Sequence, residues 1–269
     1  MRSTRIGIAG LGAIGRVLAR RVAARDVPGL ELGCVAARDV GKAEAWLRAQ
    51  GISVPVVPLV SFPDCADVAV ECAPAAILEE VCRPMLAAGR RVLVLSCGAL
   101  LSRPHLIDLA REHGGQIILP TGALVGLDAV TAAAEGEIRS VRMTTRKPPG
   151  GLAGAPHLER HGISVDGLSE PKLVFSGSAR EAALGFPANV NVAAALSLAG
   201  IGPDRTTIEI WADPTVSRNC HEIAVEADSA TFSVRIENVP SDNPKTARIT
   251  ALSALAALRK LHAPLRVGT

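Results

Sequence analysis

The chain has 269 residues, a formal net charge of +3, and 48% apolar against 20% charged residues. That is a globular composition, long enough for one large domain or two modest ones with real cores. With no Tyr, two Trp and four Phe, it has too few rings to build base-stacking platforms, and its paired basic residues (Arg20-Arg21, Arg90-Arg91, Arg146-Lys147) never form a polybasic block, so no nucleic-acid partner is expected.

Residues 5–9, RIGIA, open the chain as a short apolar strand. GLGAIG follows, and then VLARRVAARD carries apolar positions at helical spacing. This first run is broken by glycines and by Arg16, so it does not read as a signal peptide. LELGCVAA (30–37) predicts a second strand and KAEAWLRAQ (42–50) a helix. DVAVECA (67–73), RVLVLS (91–96) and QIILP (116–120) are further strands, separated by helices over ILEEVCRPMLAAG and HLIDLAREHG. Strands that are apolar throughout and alternate with helices indicate a parallel sheet covered on both faces.

In this context the glycines acquire a meaning. A G-x-G-x-x-G that leaves a first strand and opens a helix is a dinucleotide fingerprint, and the fold class is Rossmann-type α/β. Gly10 permits the tight turn, Gly12 lets a pyrophosphate approach the backbone, and Gly15 lets helix pack on strand. The phosphates rest on the N–H groups of the helix start, at Ala13 and Ile14. At the end of the second strand the carboxylate that would bind a ribose is missing. The run is Ala36-Ala37-Arg38-Asp39. Arg38 suits a 2′-phosphate, which favours NADP over NAD; the alternative is a solvated loop charge. The strand ends at Cys72-Ala73 and Ser96-Cys97-Gly98 fall on the nicotinamide side, with small residues that leave room for a ring. The six cysteines (34, 65, 72, 82, 97 and 220) include no C-x-x-C pair. They are expected as reduced, buried thiols of a cytoplasmic protein, with no metal site. No stretch reaches the roughly 18 apolar residues of a membrane span, so no membrane partner is expected.

After Pro120 the pattern changes. TGALVGLDAVTAAAEG predicts a turn into a helix, and SVRMTTRKP a strand. PPGGLAGAPHLERHG, rich in Gly and Pro, is expected to be a mobile lid. A strand and two helices follow to residue 200, then the alternating strands TTIEIWADP, HEIAVEAD and ATFSVRIENVP. This is a second α+β domain with a mixed or antiparallel sheet. The terminal helix, NPKTARITALSALAALRKL, is expected to return to the first domain. The expected division is 1–121 with 244–269 for the dinucleotide domain and 122–243 for the catalytic, substrate-binding and dimerisation domain.

Polar clusters stand out at Asn189-Val190-Asn191, at Asp213-Pro214, at Asn219-Cys220-His221, at 238–243, and at Asn243-Pro244-Lys245-Thr246. The asparagines read equally as a helix cap, and Lys245, taken alone, reads as a surface lysine ahead of a ligand. Of the six histidines, His221 begins a strand beside other polar residues and is the acid–base candidate, with a pKa expected near working pH. A helix start with Lys245 nearby is a ready carboxylate site.

GLGAIG, VECA, AAGRRVLVLSCGAL, TRKP, FPANVNVAAALSLAGIGPDRT, ADP followed by NCH, and NPKT resemble the L-aspartate dehydrogenase family along nearly the whole chain. The resemblance implies a Rossmann domain closed by its C-terminal helix, an inserted catalytic domain and a homodimer. It also implies a small dicarboxylic amino acid as substrate, whose two carboxylates call for cations, with Lys245 and Arg146 or Lys147 as the candidates. Aspartate would be oxidised to iminosuccinate with NAD or NADP, feeding NAD synthesis. It places His221 on the family's catalytic histidine and Asn191 in its substrate-side segment. Ala123 and Asn191 complete the expected cofactor contacts, and Asn189, Asn191, Asn219, His221 and Lys245 the substrate contacts. Val125 and Ala188 depart from the family pattern, where Gly and Lys are usual.

Overall fold

A computed structural model describes residues 3–187, 191–241 and 247–268. The chain divides into two compact units, Met1–Pro120 with Thr250–Arg266, and Thr121–Ile249 with Val267–Thr269.

The first unit runs β1 (Thr4–Ala9), α1 (Ala13–Ala23), β2 (Leu30–Ala36), α2 (Val40–Ala49), α3 (Phe62–Cys65), β3 (Val68–Glu71), α4 (Leu78–Ala87), β4 (Arg91–Val94), α5 (Cys97–Leu100), α6 (His105–His113) and β5 (Gln116–Ile118). Its five strands are all parallel, in the order β2-β1-β3-β4-β5. Period-two alternation divides each strand between two cores. Val68, Val70 and Leu93 join Ile6, Ile8, Leu18 and Val22 on one face, while Ala69, Val92 and Val94 join Val81, Met85 and Leu106 on the other. Each fully buried aliphatic side chain is worth about 1.5–3 kcal/mol.

The order of the strands reverses between β1 and β3. In open α/β sheets such a switch point opens a crevice at the carboxyl ends of the strands, where ligands bind. The fingerprint follows β1, and Cys72-Ala73 follow β3, so the fold sets both at that crevice.

The second unit runs α7 (Leu127–Ala133), β6 (Ile138–Lys147), α8 (Pro156–His161), β7 (Lys172–Ser178), α9 (Ala179–Gly185), α10 (Asn191–Ala199), β8 (Thr206–Ala212), β9 (Cys220–Ala227) and β10 (Thr231–Glu237). Its sheet has the order β10-β9-β6-β8-β7. Only β6 and β8 run parallel; the other neighbours are antiparallel, so the sheet is mixed. Alternation along β6, β8 and β9 buries Val141, Met143, Ile208, Ile210, Ile223 and Val225 on one face. α11 (Arg248–Lys260) closes the chain. Its Ala254, Leu255 and Leu258 join the core built on Ile6 and Ile8, which is the return expected of the terminal helix.

Two expectations change. Cys34 of β2 and Cys65 at the end of α3 form a disulfide, with Cα atoms 6.1 Å apart, instead of two reduced thiols. The reason is close packing: Gly33 has no Cβ, so the Cys65 carbonyl lies directly against β2. The Gly/Pro-rich segment after β6 is not a loose lid. Leu152, Ala155 and Leu158 are buried, and the His157 ring stands 5.2 Å from that of Phe175 and 5.3 Å from that of Phe186.

Candidate functional site

One candidate region, in the first unit, is the crevice of the parallel sheet. Gly10 has φ +98, a conformation that favours glycine, and a Cβ there would lie 2.8 Å from the Cys72 carbonyl oxygen and 3.1 Å from Ala73 Cα. A Cβ at Gly15 would strike the Gly10 carbonyl oxygen, whereas nothing lies within 4 Å of the Cβ position of Gly12. Turn and helix are therefore locked together, and the backbone at Gly12 is open to a ligand. α1 starts at Ala13 with no side-chain cap, so no capping side chain takes up the N–H groups of its first turn. An uncapped helix start behind an open glycine fits a pyrophosphate.

Around that crevice the structure places Cys72 and Ala73 half-buried after β3. Ser96 is buried and Gly98 is half-buried within α5. The predicted strand through Ser96 stops at Val94 because the chain turns into α5. Glu71 supplies what the sequence did not announce. It is fully buried, and its carboxylate accepts bonds from Leu95 N (3.1 Å), Ser96 N (2.8 Å) and Ser96 Oγ (3.0 Å). The side chain thus staples the carboxyl ends of β3 and β4 together. Burial raises its pKa against the opposing pull of these donors.

Arg38 is exposed, and among the described residues its side chain makes no hydrogen bond or ion pair. The adjacent Asp39 is spent on capping α2, accepting from Lys42 N at 2.9 Å. Arg16, on α1, lies over the Trp46 ring at 5.4 Å, and its buried Nε has no hydrogen-bond partner among the described residues.

A separate candidate region, in the second unit, lies at one end of the buried face of the mixed sheet. Register sets Thr145 of β6 directly opposite His221 of β9, and Thr145 Oγ1 lies 3.0 Å from His221 Nδ1. Lys147, two residues along β6, is on the same face. All three are buried, at 3%, 4% and 3% exposure for Thr145, Lys147 and His221. An aliphatic sheet face therefore ends in a hydroxyl, an imidazole and an amine. Burial, and then the neighbouring Lys147 charge, push the His221 pKa down to about 3. Burial lowers that of Lys147 to about 8. The expectation of a histidine pKa near working pH is corrected: the imidazole is neutral at neutral pH because the buried sheet face does not solvate its cation.

Arg146 and Lys147 part company because successive residues of a strand face opposite ways. Arg146 pairs with Asp213 at 3.1 Å and stacks on Trp211 at 4.9 Å. Burial pushes the Asp213 carboxyl up, but the bonds from Thr215 and Arg146 together hold it below its ordinary value.

A third group gathers on Asn238, which is buried. Its backbone N–H donates to Asn219 O (2.8 Å) and its side-chain amide donates to Ala123 O (3.0 Å). Its Oδ1 is buried with no partner among the described residues. Asn219 and Ala123 are thereby tied to one side chain. Asn191 stands exposed at the first position of α10, and Val125 is exposed. Asn189, Lys245 and Ala188 lie outside the described residues. Thr145 and Glu71 were missed in sequence because each gains its role from a partner across the sheet.

The switch-point crevice and the fingerprint define a Rossmann-type dinucleotide-binding protein carrying a second, mixed-sheet domain. Residues 10–120 match the homoserine dehydrogenase NAD-binding domain, and residues 128–261 the aspartate dehydrogenase C-terminal domain. L-aspartate dehydrogenase 3 of Bordetella bronchiseptica is 57% identical over 98% of this chain and 97% of its own. L-aspartate dehydrogenase of Bradyrhizobium diazoefficiens is 55% identical over 98% and 94%. The crystal structure of aspartate dehydrogenase from Thermotoga maritima shares the fold, with a TM-score of 0.75, 24% identity, and coverage of 99% of this chain and 100% of that one. The chain belongs to the aspartate dehydrogenase family. Its first unit is a nicotinamide-dinucleotide domain. Among the described residues no helix is long and apolar enough to cross a membrane.

Proposed function

We propose that the protein oxidatively deaminates L-aspartate with a nicotinamide dinucleotide, and runs the reverse amination. The observation that carries this reading is the buried Thr145–His221–Lys147 cluster in a chain 57% identical to a relative named L-aspartate dehydrogenase 3. Aspartate and NAD(P)⁺ give iminosuccinate, NAD(P)H and a proton; water then gives oxaloacetate and ammonia.

The bound nicotinamide supplies the hydride acceptor. Gly10, Gly12, Ala13, Ile14 and Gly15 hold the pyrophosphate; Cys72, Ala73, Ser96, Gly98, Ala123 and Asn191 complete the cofactor contacts. A neutral imidazole accepts protons. His221 takes one from the substrate ammonium, which frees the nitrogen lone pair to drive hydride loss from Cα. Once that proton has left to solvent, the ring takes another from the water that adds to the imine, and returns it to the departing amine. A bound dianion stabilises the imidazolium and so raises the low pKa that His221 has in the empty fold. Asn191 and Asn219 are the substrate contacts of this reading; Asn189 and Lys245, the other two expected from the sequence, lie outside the described residues.

The finer reading is NADP preference through Arg38. Arg38→Ala is expected to lower kcat/KM for NADPH at least about tenfold and to spare NADH. No loss with either cofactor assigns Arg38 to the solvated surface, and equal loss with both denies it a part in choosing between them. A cytoplasmic homodimer feeding pyridine nucleotide synthesis completes the reading on the strength of the family resemblance. The test of the activity is cofactor reduction across a panel of amino acids. Selective turnover of L-aspartate is expected. Turnover of a different amino acid alone replaces the substrate, and cofactor binding without turnover makes the protein a dinucleotide sensor.

A further inference from the structure

We propose that the side-chain carbonyl of Asn238 holds the nitrogen of the substrate, accepting a hydrogen bond from its N–H beside His221. The inference rests on the aspartate reading above and deepens it.

Strand pairing sets the place. Ile236 of β10 stands opposite His221 of β9, and the bond from Asn238 N to Asn219 O (2.8 Å) carries that pairing just past the end of β10. Residues directly opposite share a face, and so do residues two apart on one strand. Along β10 the residues alternate between exposed and half-buried; Ile236 is half-buried, and Asn238 beyond it is buried at 4% exposure. Asn238 therefore belongs to the face that carries Thr145 and His221. It lies directly opposite Asn219 and diagonal to His221. Diagonal neighbours on an antiparallel pair stand about 7–8 Å apart. One nitrogen hydrogen-bonded to both side chains fits that span.

The chemistry of the amide sets the ligand. The Ala123 carbonyl can only accept, so the amide turns its Nδ2 toward it, at 3.0 Å, and its Oδ1 the other way. Oδ1 is buried with no hydrogen-bond partner among the described residues. A buried acceptor left unpaired is costly, and the partner it calls for is a donor. An amino acid brings one in its ammonium, whose charge makes the bond stronger than one from a neutral group. The carboxylates of the same molecule have no hydrogen to give.

An ammonium has three N–H bonds. One proton goes to His221. A second N–H stays on Oδ1 after that transfer, because an amide carbonyl accepts the bond without taking the proton. The imine keeps an N–H for the same contact, whereas the keto oxygen of oxaloacetate has none. Asn238 thus holds the nitrogen through the reaction and favours the imine over the ketone.

The test compares the full-length wild type with Asn238→Leu and Asn238→Asp. The readouts are the KM of L-aspartate, the Ki of succinate, the Kd of the cofactor, and Tm. Succinate carries both carboxylates and no nitrogen. A disturbed fold therefore weakens both ligands, while a lost nitrogen contact weakens aspartate alone. In Asn238→Leu the ratio of aspartate KM to succinate Ki should rise at least about tenfold, with cofactor Kd unchanged. Asn238→Asp keeps an acceptor in the same place and should hold that ratio at or below the wild-type value.

An unchanged ratio in Asn238→Leu overturns the proposal, and a raised cofactor Kd alongside it gives Oδ1 to the cofactor instead. If Asn238→Leu does not fold, Asn238→Asp decides: a ratio raised above that of the wild type overturns the contact. A wild type that does not turn over L-aspartate rejects the parent reading, and this inference with it.

Discussion

His221 illustrates how a single side chain carries both function and a stability penalty. Its imidazole has a folded pKa of about 3 against 6.5 for an ordinary histidine. Between those values the unfolded chain binds a proton that the folded chain refuses. Stability contributed by the neutral ring is therefore full above about pH 6.5 and is lost as pH falls toward 3. His221→Gln should flatten this part of the acid-side decline in Tm, read by calorimetry between pH 7 and 4. An unchanged slope would show that the ring is solvated. His221→Ala should lower turnover at least about a hundredfold and leave cofactor binding intact; retained turnover would remove His221 from the mechanism. The sequence made His221 visible because it opens a strand beside Asn219. Thr145 was invisible, because its only claim is the β6–β9 register, and Lys147 could not be told from Arg146 until the strand fixed which way each points.

At the scale of elements, the carboxyl ends of β3 and β4 are held by one carboxylate. Glu71 accepts two backbone N–H groups through Oε2 and one hydroxyl through Oε1. A glutamine can reproduce this: its carbonyl accepts both N–H groups while its amide donates to Ser96 Oγ. Glu71→Gln should therefore cost under about 1 kcal/mol, whereas Glu71→Ala strands buried donors at about 1–3 kcal/mol. Urea unfolding checks both, and equal losses would contradict the staple. The fingerprint, the strands and the helices were legible because spacing is local. The anchoring of the segment after β6 was not, since its glycines and prolines say nothing of Leu152 and Leu158 reaching a core.

At the scale of the whole molecule, the last helix completes the core of the first unit. Leu258 is fully buried there, and Leu258→Ala should cost about 2–5 kcal/mol, read as a shift of the unfolding midpoint. That return was readable from the apolar run. The Cys34–Cys65 bridge was not, because thirty-one residues separate its ends and only the folded packing of α3 on β2 joins them. Titration of the denatured, unreduced chain should find the four free thiols of Cys72, Cys82, Cys97 and Cys220. The central claim is that fingerprint, imidazole and buried cation together make an aspartate dehydrogenase. Its most direct test is oxidation of NADH and NADPH, side by side, by the purified protein with oxaloacetate and ammonia. Oxidation that requires ammonia and runs faster with NADPH is the result expected. No oxidation of either cofactor, with both measurably bound, would contradict it.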